Sequence, residues 1–102
     1  MSITTFWLAH VTITDPDAYA RYQAMARPVF ERHQAVFFAR GDGEVLEGPD
    51  WQRHVVIGFS NFEAALACYH DPEYEAARSL RAGAAEVSIT LINATSRVSL
   101  ES

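Results

Sequence analysis

A lone cysteine, Cys68, leaves no internal disulfide and no thiolate-ligated metal site that one chain could build. It is read as a small residue of the core or of a helix surface. Basic residues are also few: eight, scattered singly, against thirteen acidic ones, for a net charge of −5. That balance argues against a nucleic-acid footprint and against an anionic membrane surface. No stretch approaches the roughly 20 apolar residues of a membrane span. The opening MSITTFWLAH lacks the basic region and the longer apolar run of a signal peptide, so a cytoplasmic location is expected.

Motifs are scarce as well. There is no His-x-x-x-His, and Gly41, Gly43 and Gly48 match neither a dinucleotide fingerprint nor a phosphate loop. No Gly-x-Ser-x-Gly elbow exists for a serine triad. Asn93-Ala94-Thr95 fits a glycosylation sequon, which carries no weight without a secretory signal. Neither a metal nor a cofactor is therefore expected.

What is present is apolar and aromatic. Of the 102 residues, 49% are hydrophobic, 12% aromatic and 21% charged, which is the make-up of one globular domain spanning 1–102. FWLAHVTIT (6–14) reads as a strand, with Trp7, Ala9, Val11 and Ile13 on one face. From Pro16 to His33, Tyr19, Tyr22, Ala26, Val29 and Phe30 recur at helical spacing, with a kink or fresh turn expected at Pro28. VFFAR (36–40) and EVLEG (44–48) flank Gly41-Asp42-Gly43 and read as a hairpin with an exposed tip. HVVIGF (54–59) reads as a buried strand. Ser60 and Glu63 have the spacing of a capping box for a helix beginning near 61. A further helical piece over 72–85 and a strand SITLI (88–92) precede the polar tail ATSRVSLES (94–102), which is expected to fray.

DPDAYARY (15–22) and DPEYEAAR (71–78) echo each other. Asp15 and Asp71 can accept from the free amides of a helical first turn, Pro16 and Pro72 preset the first helical dihedral, and the acid that follows suits the dipole. Both stretches therefore read as helix starts, with Tyr19, Tyr22 and Tyr74 on apolar stripes rather than in a catalytic site.

The order strand, helix, strand, strand, helix, strand is that of a ferredoxin-like α+β fold: a four-stranded antiparallel sheet with its helices on one face. Alternation sends Trp7, Ala9, Val11, Ile13, Val55, Ile57, Phe59, Ile89 and Leu91 to the helices. The other face receives Phe6, Leu8, His10, Thr12, Phe38, Arg40, His54, Val56, Thr90 and Ile92. Each large apolar side chain left exposed forgoes about 1.5–3 kcal/mol, so this face predicts a homodimer closed sheet against sheet.

The segments FWLAHVTITDPDAYARY, ARGDGEVLEG and HVVIGFSNFEAALACYHDPEYEAARSLRAGAAE resemble the DUF1330 family of the dimeric α/β barrel superfamily, over nearly the whole chain. EVLEG, VVIGFSNFEAAL and YHDPEYEAARSLR are the most specific parts. The resemblance implies ferredoxin-like subunits pairing into a barrel. It also implies departures: the family usually has a glycine pair where this chain has Gln34-Ala35, and often a central-strand glutamate where it has Gly58. Superfamily relatives include cofactor-independent oxygenases, lactone isomerases and haem enzymes, so the fold by itself fixes no reaction.

The candidate site residues are few. His10 and His54 share parity on neighbouring strands and are the candidate catalytic groups, able to act as acid or base near neutral pH. Arg40, closing its strand, is a candidate carboxylate holder, and Trp51 in GPDWQR a candidate cover for a ligand-binding pocket. His33 suits a helix C-terminus, and His70 should be exposed. Two readings stay open. One is a cofactor-independent, oxygenase- or isomerase-like enzyme acting on a small aromatic or carboxylated metabolite. The other is a non-catalytic module that binds a small molecule or a protein.

Overall fold

The computed structural model describes residues 2–94, running β1 (Thr5–Ile13), α1 (Pro16–Arg32), β2 (Val36–Asp42), β3 (Arg53–Phe59), α2 (Phe62–Tyr69), α3 (Pro72–Arg81) and β4 (Ala85–Asn93). The strands form one antiparallel sheet in the order β2-β3-β1-β4. This is the ferredoxin-like α+β arrangement expected. Ala94 still donates its N–H to the Thr4 carbonyl at 2.7 Å, while the rest of the tail expected to fray lies outside the described residues.

Alternation along β1 works as predicted. Trp7, Ala9 and Val11 are buried under the helices, and Phe6, Leu8, His10 and Thr12 on the opposite side are half-buried. Trp7 is the centre of the core: the rings of Phe30, Phe59, Tyr69 and Tyr74 lie 5.4–6.0 Å from its own. Such large planar side chains carry most of the apolar burial in a chain this short. Cys68 is buried with them, and burial pushes its thiol up to about 12, which suits the core role expected of it.

Both Asp-Pro pairs start helices. Asp15 Oδ1 accepts from the Ala18 N–H at 3.2 Å, and Asp71 Oδ1 from the Glu73 N–H at 2.9 Å. Asp71 also accepts from Arg32 at 2.6 Å and from His33 Nε2 at 2.9 Å, so the start of α3 is fastened to the end of α1. No new helix begins at Pro28. The residue is exposed, and the burial of Ala26, Val29 and Phe30 around it carries α1 through the missing hydrogen bond. α1 closes in a Schellman motif, with Gln34 N–H on Glu31 O and Ala35 N–H on Phe30 O, and Gln34 takes the left-handed conformation at φ 58°.

Four expectations are corrected. EVLEG is not a strand: β2 continues to Asp42 and itself occupies the edge of β3, leaving 43–52 as the connection, with Leu46 86% exposed. The cap of α2 is Asn61, one residue later than expected, whose Oδ1 accepts from the Ala64 N–H at 2.7 Å as the helix begins at Phe62. α3 stops at Arg81 and not near 85; Gly83 turns at φ 76°, and the Ala84 carbonyl accepts from Thr14 and Asp15. Finally, β2 is bulged. Phe37 pairs with Ile57 but Ala39 pairs with Val56, and the extra residue reverses the alternation, so that Arg40 falls beside Val55 on the helix side.

Candidate functional site

The sheet separates two clusters of polar side chains. On its open face, His10 and His54 are direct register partners on β1 and β3, and their Nδ1 atoms are 2.8 Å apart. One Nδ1 donates and the other accepts. The connection 43–52 covers it in part. A Cβ on Gly43 would lie 2.7 Å from His54 Cδ2, which makes glycine the residue whose backbone fits flat against that imidazole, and Trp51 stands 6.3 Å from the His10 ring. His54 Nε2 is buried with no partner among the described residues. Two imidazoles are one ligand short of a catalytic zinc site, and no group of three or more His, Cys, Asp or Glu able to hold a metal occurs among the described residues.

On the helix side, a cavity of about 470 Å3 opens between α1 and the sheet. Its floor is apolar: Trp7, Phe30, Phe37, Val55 and Ile89. Its polar lining includes Gln23, Glu31 and arginines from four elements, Arg27 on α1, Arg40 on β2, Arg53 on β3 and Arg81 at the end of α3. Arg27 is held at the rim by Glu31 at 3.5 Å. Arg40, Arg53 and Arg81 have no carboxylate within salt-bridge distance among the described residues, and the buried Nε atoms of Arg53 and Arg81 have no acceptor. A buried donor without an acceptor costs about 1–3 kcal/mol, so these groups call for an acceptor from outside the chain.

Tyr22 lines the far side, and Tyr74 stands behind it in the core. Their hydroxyls are 2.7 Å apart, and the Arg81 guanidinium stands 4.9 Å from the centre of the Tyr22 ring. Burial, then the neighbouring Tyr74, drives the Tyr22 hydroxyl's pKa far upward, so it stays protonated.

The candidate residues are thus divided. His10, His54 and Trp51 come together on the open face. Arg40, at the sheet edge, lines the arginine cavity, where the Phe37 ring lies 5.8 Å from its guanidinium, and also a shallower pocket that it shares with His54. His33 is spent on Asp71 and His70 is exposed at the end of α2. Sequence reasoning missed Arg27, Arg53 and Arg81. Arg53 could have been found, because extending the Val55, Ile57, Phe59 alternation back by one step puts it on the helix face. The convergence of α1 and α3 on the same space has no local signal.

A sheet of this order with helices on one face defines a ferredoxin-like protein, and solved structures agree. A protein of unknown function from Rhodopseudomonas palustris matches with a TM-score of 0.75 at 21% identity, covering 95% of this chain and 86% of that one. SnoaB, a cofactor-independent oxygenase from Streptomyces nogalater, matches with a TM-score of 0.64 at 12% identity, covering 99% and 100%. A dimeric protein of unknown function and ferredoxin-like fold from Bacteroides fragilis matches with a TM-score of 0.61 at 13% identity, covering 88% and 95%. No curated protein matches the sequence. Residues 4–95 match the domain of unknown function DUF1330, and the chain belongs to that family.

Proposed function

We propose that the protein is a homodimer joined through its open sheet faces, each subunit binding a small aromatic or otherwise apolar carboxylate in the arginine-lined cavity. One observation carries the ligand class: four of the eight basic residues of a chain with net charge −5 line this single cavity. Guanidinium groups bind carboxylates bidentately, and the aromatic floor accepts an apolar body. The volume of about 470 Å3 suits a ligand of metabolite size. The dimer is supported by the half-buried apolar face opposite the helices and by the dimeric relative of like fold. In the dimer the His10–His54 pair and Trp51 become interface groups. Among the described residues no helix is long and apolar enough to cross a membrane, and a lone buried thiol fits a reducing compartment such as the cytoplasm.

Thermal shift and calorimetry with benzoate and 1-naphthoate, each against its neutral amide, test the ligand class. The acids should raise Tm and the amides should not, and Arg53→Gln should remove the difference. Equal shifts from acid and amide, or none from either, would overturn the reading.

A second reading, an oxygenase- or isomerase-like enzyme without a cofactor, is favoured by the buried, unpartnered Nε2 of His54, a group free to exchange a proton with a ligand on the open face. Oxygen uptake and product analysis with the same acids test it. Turnover lost in His54→Gln supports it, and no turnover sets it aside.

A further inference from the structure

Tyr22 in the cavity wall and Tyr74 behind it in the core hold two hydroxyl protons and share one hydrogen bond, so one proton is left over. Where it goes is decided by burial. Tyr74 is fully buried, takes no part in the cavity wall, and has no second acceptor among the described residues. If Tyr22 donated to Tyr74, the Tyr74 proton would be stranded in the core, next to Trp7 and Phe30. If Tyr74 donates, the spare proton belongs to Tyr22, which lines the cavity, and can be satisfied there. The second arrangement avoids a buried orphan. Arg81, the polar neighbour of Tyr22, cannot take the proton, since a guanidinium only donates.

The cavity holds four arginines and the Tyr22 hydroxyl against the Gln23 amide and a Glu31 carboxylate already paired with Arg27, and its donors are of two kinds. Arginines answer a carboxylate. A neutral hydroxyl braced from behind by a second hydroxyl answers a neutral or weakly charged oxygen. Building on the carboxylate reading above, we infer that the ligand carries, besides its carboxylate, a second oxygen acceptor of the carbonyl or enolate type, met by the Tyr22 hydroxyl, with Tyr74 as the positioning residue. The ligand class narrows from apolar acids to keto or acyl acids. Its protonated state makes Tyr22 a donor and not a base.

Calorimetry with the three acetylbenzoate isomers against the three isopropylbenzoates tests this. The two groups have nearly the same shape and the same carboxylate, and they differ in one carbonyl oxygen. Wild-type protein should prefer at least one acetylbenzoate over its isopropyl counterpart by roughly three- to tenfold, the worth of one neutral hydrogen bond. Tyr22→Phe should erase the preference. Because that variant leaves Tyr74 without an acceptor and could fold poorly, the double variant Tyr22→Phe/Tyr74→Phe, with no orphaned hydroxyl, is measured beside it and should show the same erased preference. If the wild type binds the acids without preference, or a Phe variant keeps the preference, the inference falls while the carboxylate reading stands. If no acid binds the wild type, both fall.

Discussion

His10 and His54 meet across β1 and β3 with their Nδ1 atoms 2.8 Å apart, on the side of the sheet that the arginine cavity does not reach. Around them lie Phe6, Leu8 and Val56, half-buried in the single chain, and Phe38 and Ile92, exposed at 56% and 43%. Sedimentation should give twice the chain mass of 11.4 kDa, and Val56→Arg should return the mass to that of one chain. His10→Ala should weaken the dimer and leave benzoate affinity of the remaining dimer unchanged. Loss of acid binding in His10→Ala would place the ligand on the wrong face for this account.

Asp71 predicts an acid limb to stability. The His33 hydrogen bond first, then the Glu73 N–H and the Arg32 guanidinium, hold its carboxyl at about 2, below its ordinary 3.8. A folded pKa below the unfolded one favours the folded state above 3.8, and the contribution fades as pH falls through that value toward 2. Asp71→Asn should therefore be less stable than wild type at neutral pH, with the gap closing toward pH 2, as read from urea midpoints across the range. A gap independent of pH would mean that the charge does not matter.

The Asp-Pro starts and the Trp7, Ala9, Val11 alternation were legible because each depends on residues close together in sequence. The bulge at Phe37–Ala39 was not, because one inserted residue leaves the same apolar pattern and only pairing with Ile57 and Val56 reveals the shift. That single residue brings Arg40, which also lines a pocket with His54, to the helix-side cavity. His10 and His54 could be matched from the sequence since they are register partners. The arginine cavity draws on α1, β2, β3 and α3, and its assembly belongs to tertiary packing. Gly58 shows the same limit: a Cβ there would meet Phe38 Cε2 at 2.5 Å, a contact that explains glycine but could not be foreseen from it.

Cys68 should be inert in the folded protein, since it is fully buried and its thiol is pushed up to about 12. Ellman's reagent should find no reactive thiol in native protein and one per chain in urea. Fast native labelling would show that the helix layer opens.

Gln34 is an exposed non-glycine residue at φ 58° where the Schellman motif favours glycine. Gln34→Gly should stabilise the protein by about 0.5–1 kcal/mol, the left-handed strain relieved less the added freedom of the unfolded chain. Thermal unfolding measures it, and an unchanged or lower Tm would show that the Gln34 side chain has a compensating contact.

Crystals grown with 4-bromobenzoate offer the most direct measurement of where the ligand sits, because bromine's anomalous signal marks the ring independently of any refinement. One peak per subunit is expected between α1 and the sheet, over the Trp7–Phe37 floor, with the carboxylate on Arg53 and on Arg40 or Arg81. A peak on the open face beside His10 and His54 would contradict this placement.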